Sequence, residues 1–233
     1  MIFVLKQIIL ISDGQSNRGL DPVEAAELAP NKDIRVNTIG IVDSKQNESP
    51  IFELENIAEK GGGICELTDL ENLSETLSKV TVKSVYETIE EVVNRELKEI
   101  IHVDIEEVHP RERNKITRII DQIGNEITLK CLILLDASGS MKKKIEIARK
   151  SIFELLMFLE ERSGENQIGV MVFPGESGYY ELLCDFTKDI DELKNKVKFI
   201  ETGGITPTGP AIEGAIKIFS REDHKYSIYE HIV

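Results

Sequence analysis

Leu129–Ser140 reads LKCLILLDASGS: seven residues dominated by aliphatic side chains, then a carboxylate, then two hydroxyls at alternate positions. A run that is apolar on both faces suits a strand covered by helices on both sides, as in a parallel sheet. Similar runs recur at Gln7–Ser12 (QIILIS), Ile34–Val42 (IRVNTIGIV), Gly63–Leu67 (GICEL) and Gln167–Phe173 (QIGVMVF). Helical periodicity fills the spaces between them. Met141–Arg162 carries Ile145, Ala148, Ile152, Leu155, Leu156 and Leu159 at steps of three and four, which makes one apolar face. Pro22–Leu28, Ile51–Lys60, Leu70–Val80, Asp189–Phe199 and Pro210–Phe219 read as further helices. Strand and helix alternate, so the sequence predicts an α/β fold with a doubly wound, mostly parallel sheet flanked by helices.

Residues 81–126 break that alternation. Val82–Ile100 (VKSVYETIEEVVNRELKEI) predicts a charged helix, Ile101–Val108 (IHVDIEEV) alternates as an exposed strand does, and Pro110 follows in the charged turn HPRERNK. The segment has too few apolar residues for its own core. It is expected to be a connector, a long helix plus a hairpin, between residues 1–80 and 127–233.

Composition narrows the partners. Of 233 residues, 41% are apolar and 30% charged, ordinary for a globular chain with a real core and against disorder as the main state. A net charge of −14 argues against nucleic acid or an anionic membrane, both of which want a basic surface. No stretch reaches the roughly 18–20 uninterrupted apolar residues of a membrane span. The N-terminal MIFVLKQIILIS has Lys6 inside its apolar run and is followed by DGQSN rather than small residues. A buried strand, in a cytoplasmic protein, is therefore expected rather than a secretory signal. Cys65, Cys131 and Cys184 are odd in number, far apart and each in a strand-like run, which predicts buried free thiols. None of the four histidines is paired at ligand spacing, against a zinc site.

The chemistry concentrates at Asp136, Ser138 and Ser140. In a doubly wound sheet, ligands bind at the carboxyl ends of central strands. Side chains at alternate positions of a turn can converge on one point, and carboxylate and hydroxyl oxygens completed by water suit magnesium. A serine at a helix N-cap accounts for Ser138 or Ser140 equally well when the motif stands alone. Gly203–Ala211 (GGITPTGPA) places Thr206 and Thr208 before an apolar helix, where either can cap. Asp13, in ISDG, ends another apolar strand, and by itself it reads as an ordinary Asp-Gly turn.

Together, DASGS, GGITPTG and a strand ending in SDG resemble the von Willebrand factor A domain family, which includes the integrin I domains. The likeness is to that family's metal-ion-dependent adhesion site and covers most of residues 1–80 and 127–221. Carried over position by position, the resemblance makes Asp136, Ser138, Ser140, Thr206 and Asp13 the five metal-site residues. It implies a divalent cation, usually magnesium and otherwise manganese or calcium, held by hydroxyls directly and by aspartates directly or through water. It also implies a non-catalytic role, in which an open coordination position takes an Asp or Glu carboxylate from a protein partner.

The order of the motifs departs from the family. There, the DxSxS strand opens the domain and the SDG strand comes later. Here Asp13 precedes Asp136. Reading residues 127–220 and then 6–80 restores the order in roughly 170 residues. Three explanations stand side by side: circular permutation, with residues 81–126 joining the old ends in a monomer; domain swapping between two chains; or a fragment of a longer tandem protein. Permutation is expected, because the old termini lie on the face opposite the site and a 46-residue joint spans tens of ångströms.

Enzyme readings fit less well. A magnesium-dependent phosphohydrolase of the α/β class wants a second aspartate two residues after Asp136, where Ser138 stands. No G-x-S-x-G surrounds Ser138 or Ser140, and His102, His109, His224 and His231 lie outside the strand-end loops. No G-x-G-x-x-G or P-loop follows a strand.

Overall fold

The computed structural model describes residues 4–42 and 49–230. The apolar runs become β1 (Val4–Ser12), β2 (Ile34–Ile41), β3 (Gly62–Thr68), β4 (Thr128–Asp136) and β5 (Asn166–Phe173). A sixth strand, β6 (Glu181–Thr187), was not among the predicted five. It pairs antiparallel with β5 at the sheet edge and is half solvated, so it lacks the two-sided apolar pattern of the others. The helices are α1 (Pro22–Ala26), α2 (Ser49–Lys60), α3 (Leu73–Ile101), α4 (Pro110–Glu126), α5 (Ile145–Leu159), α6 (Ile190–Lys196) and α7 (Thr208–Glu230). Among the described residues, six strands form one sheet in the order β3-β2-β1-β4-β5-β6. All neighbours but the last pair are parallel. This is a doubly wound α/β fold.

Successive side chains of a strand point to opposite faces, and the central strands bury both sets. Ile9 and Ile11 of β1 and Cys131, Ile133 and Leu135 of β4 pack with α3, α4, α5 and α6 on one face. Ile8, Leu10, Leu132 and Leu134 pack with α1, α2 and α7 on the other. Ile8 to Ile11 and Leu132 to Leu135 are all 0% exposed. Full burial of each such side chain contributes about 1.5–3 kcal/mol, so these two strands hold the sheet together.

The connector is two helices joined by a turn that holds one short 3-10 segment, and the strand expected at residues 101–108 does not form. α3 is a single helix of 29 residues, about 43 Å long, joining what the sequence suggested were two helices. It stops at His102, which is left-handed with φ 56°. Asp104 then caps a short 3-10 turn through the Glu106 amide, and Glu107 reaches back to the Asp104 amide. The alternation that mimicked a strand arises because Ile105 is buried in this turn while its neighbours are charged. Pro110 opens α4 as its first residue, where its missing N–H costs nothing. α4 returns along α3, and its Gly124 lies so close to the Tyr86 ring that an added Cβ would stand 3.2 Å from it. Val85, Ile89, Ile105 and Ile120 join the core of the main sheet, so the connector borrows a core rather than building one.

Candidate metal centre

β1 and β4 pair residue for residue up to Ile11 beside Leu135, so both release the chain at the same level of the sheet. From there β1 leads to β2 on one side and β4 leads to β5 on the other. A crevice opens where neighbouring strands send their connections apart. Asp13 follows the last residue of β1, and Asp136 is the last residue of β4.

Asp136 is fully buried. Its Oδ2 accepts from the Ser12 hydroxyl at 2.6 Å, and its Oδ1 accepts from the Ser138 amide at 2.7 Å. Burial pushes its carboxyl up to about 6, against the lowering effect of those hydrogen bonds; it is still largely ionised at neutral pH. Ser138 Oγ lies 3.1 Å from Ser140 Oγ, and Ser140 Oγ donates to Asp13 Oδ1 at 2.6 Å. The Lys144 ammonium sits 2.7 Å from Asp13 Oδ2. Ser138 precedes a short 3-10 turn (Gly139–Lys143) but makes no side-chain capping bond to it. Its hydroxyl serves the cluster instead.

Each hydroxyl has one hydrogen and two lone pairs. Ser140 gives its hydrogen to Asp13, so the hydrogen shared between Ser138 and Ser140 belongs to Ser138. The Ser140 oxygen keeps lone-pair capacity, and Ser140 is an exposed residue whereas Asp136 and Ser138 are buried.

Thr206 comes from the loop before α7 and is buried. Its amide donates to Asn17 Oδ1 at 2.8 Å, while its carbonyl accepts from the Asn17 amide at 3.1 Å and from the Ser16 hydroxyl at 3.3 Å. Upstream, the Gly203 amide donates to the Ala137 carbonyl at 2.8 Å. The Thr206 loop is thus fastened to the segment after Asp13 and to the turn after Asp136. Of the five residues singled out from sequence, Asp136, Ser138, Ser140 and Asp13 belong to one network of hydrogen bonds, with Ser12 closing on Asp136. Thr206 is brought alongside by backbone ties.

Sequence reasoning missed Ser12, Ser16, Asn17 and Lys144. A signal for the first three lay in SDGQSN, a polar run directly after an apolar strand. Lys144 gave none, because it is the last of three consecutive lysines. Glu53 of α2 also supports this rim, accepting from the Ser16 amide at 2.7 Å.

The donor set is all oxygen, two carboxylates and three hydroxyls, which fits a hard divalent cation and not a thiophilic one. Among the described residues no group of three or more His, Cys, Asp and Glu could hold a metal, so any ion here depends on the hydroxyls. His102 and His109 cap the connector helices. The three cysteines are free, with Cys131 and Cys184 buried and Cys65 half-buried. No described helix is long and apolar enough to cross a membrane.

Residues 131–229 match the family model for the von Willebrand factor type A domain. Over 220 residues the chain is 37% identical to the uncharacterized protein YabS of Bacillus subtilis (strain 168), covering 93% of this chain and 90% of that one. A crystal structure of an uncharacterized protein from Alicyclobacillus acidocaldarius subsp. acidocaldarius DSM 446 superposes with a TM-score of 0.87 at 32% identity, over 96% of this chain and 97% of the other. At that coverage the same architecture, connector included, runs through both chains.

Proposed function

Because residues 131–229 match the family model for the von Willebrand factor type A domain, we propose that the chain is a non-catalytic, divalent-cation-dependent protein-binding module. Asp136, Ser138, Ser140, Thr206 and Asp13 would hold magnesium, or manganese or calcium in its place. The observation that carries this reading is the hydrogen-bonded run Ser138–Ser140–Asp13 beside the Ser12–Asp136 pair, at the carboxyl ends of two adjacent parallel strands. When bound, the cation supplies an electrophilic position that a carboxylate of a protein partner can fill. The chain's own residues then have three tasks: Ser12 and the Ser138 amide orient Asp136, Ser140 orients Asp13, and Asn17 fixes the Thr206 loop.

The domain is read as circularly permuted in one chain, with residues 127–233 supplying its first half, 1–80 its second and 81–126 the joint. The parallel pairing of β1 with β4 is the contact that this reading requires. Three free thiols suit a reducing compartment such as the cytoplasm.

Thermal unfolding with and without millimolar magnesium tests the reading. A ligand bound only by the folded state raises stability by RT ln(1 + [L]/Kd), so the wild type gains a modest rise in Tm and Asp136→Ala gains none. An equal rise in both proteins moves the ion away from these residues.

A further inference from the structure

A set of oxygen donors for a cation has no need of an ammonium group, yet one is buried beside this one. Lys144 Nζ is 2.7 Å from Asp13 Oδ2, with side-chain exposures of 9% for the lysine and 2% for the aspartate. Its neighbours Lys142 and Lys143 are exposed; of three consecutive lysines, the third is turned inward. An ion pair this dry is poorly screened by salt, unlike a surface pair. Asp13 is also one of the two carboxylates of the candidate metal centre, so the ammonium shares its charge with any ion bound there.

We propose that Lys144 is a resident counter-charge that tunes the metal centre in two opposite directions: it weakens the hold on the divalent cation and strengthens the hold of the loaded centre on an anionic ligand. The inference rests on the metal-centre reading. Asp13 and Asp136 carry two negative charges and Lys144 one positive charge, so these three groups sum to minus one without a cation and plus one with it. Without the ammonium the sums become minus two and zero. Lys144 therefore repels the incoming ion, yet leaves the loaded centre with a net positive charge that a partner carboxylate can neutralise. At a few ångströms in a partly dehydrated crevice, one charge changes an equilibrium constant by about tenfold or more. The fold already holds Asp13 through Ser140, which leaves the ammonium's main effect electrostatic.

The test uses the full chain stripped of metal with chelator and compares wild type, Lys144→Met and Lys144→Arg. Manganese alone is titrated, with the free ion read by electron paramagnetic resonance. Lys144→Met is expected to bind it at least about tenfold more tightly, and Lys144→Arg within about threefold of wild type. Acetate is then added to each manganese-saturated protein, and paramagnetic broadening of its methyl resonance reports its affinity, which should fall at least about threefold in Lys144→Met alone. This second readout separates electrostatic tuning from a merely structural pairing, since the latter leaves acetate binding unchanged. If Lys144→Met does not fold without metal, Lys144→Gln, which keeps a donor toward Asp13 without the charge, carries the same expectations. Manganese binding that is unchanged or weaker in the neutral variants overturns the inference, as does unchanged acetate binding. Absence of manganese binding in every protein, wild type included, overturns the metal-centre reading and this inference with it.

Discussion

Ser12 and Asp136 stand 124 positions apart in the chain, yet the Ser12 hydroxyl donates to Asp136 Oδ2 at 2.6 Å in the interior. The bond follows from the register that sets Ile11 beside Leu135, which places the last residues of the two strands side by side. A buried hydrogen bond to a charged acceptor contributes about 1.5–3 kcal/mol. Ser12→Ala should therefore lower unfolding stability by that amount in denaturant titrations. A double-mutant cycle with Asp136→Asn should give a coupling of at least about 1 kcal/mol. Additive effects would mean that the contact contributes nothing.

The same register predicts how the molecule behaves when cut. Each flank of residues 81–126 contributes strands to one sheet, and the β1–β4 seam between them carries eight paired positions on each strand. Fragments 1–106 and 107–233, divided in the exposed part of the connector turn, should each lack a cooperative thermal transition. Each alone bares a strand edge that carries a run of four aliphatic side chains, Ile8–Ile11 in one fragment and Leu132–Leu135 in the other. Mixed, they should regain one transition and elute as a one-to-one complex. A fragment that unfolds cooperatively alone would contradict the dependence of each half on the other.

Thiol reactivity gives a test independent of metal. Burial pushes the Cys184 thiol up to about 11 and raises Cys131 and Cys65 as well. At pH 8 a thiol near 11 is only about 0.1% thiolate. Native protein should resist iodoacetamide at pH 8 while denatured protein reacts at all three cysteines. The sign for stability follows: the folded state favours the neutral thiol, so the benefit is complete below the ordinary thiol range and is lost as pH rises toward 11. Rapid labelling of the native protein at Cys131 or Cys184 would refute the burial described.

What could be read from sequence divides along physical lines. β1, β2, β4 and β5 were legible because strands buried on both faces carry continuous apolar runs. Asp136, Ser138 and Ser140 were legible because oxygen donors at alternate positions directly follow such a run. β6 was not, since ELLCDFT lies half in solvent at the edge and its Cys184 is the only fully buried apolar side chain. IHVDIEEV was misread because a capping box is a matter of hydrogen bonds, not hydropathy. α3 was read as two helices, although Thr81 is buried within it with its hydroxyl donating to the Leu77 carbonyl at 2.7 Å. Lys144 looked like one more solvated lysine. Its burial depends on Asp13 arriving from a strand 131 positions away, which no local pattern encodes.

Asn17 shows the same dependence and carries the last prediction. Its side-chain carbonyl accepts from the Thr206 amide at 2.8 Å, and its own amide donates to the Thr206 carbonyl at 3.1 Å. The second bond belongs to the backbone and survives substitution; the first does not. Asn17→Ala should therefore leave the sheet intact and lower stability by only about 0.5–1.5 kcal/mol, the usual net value of one hydrogen bond. The loop that presents Thr206 would be held by fewer ties, and one donor of the five would be less well positioned. The magnesium-induced rise in Tm should shrink in Asn17→Ala relative to wild type, while Asn17→Asp, which keeps an acceptor for the Thr206 amide, should retain more of it. Thermal unfolding across a magnesium series measures both. A full rise in Asn17→Ala would mean that Thr206 needs no such anchor, or that the ion does not depend on Thr206.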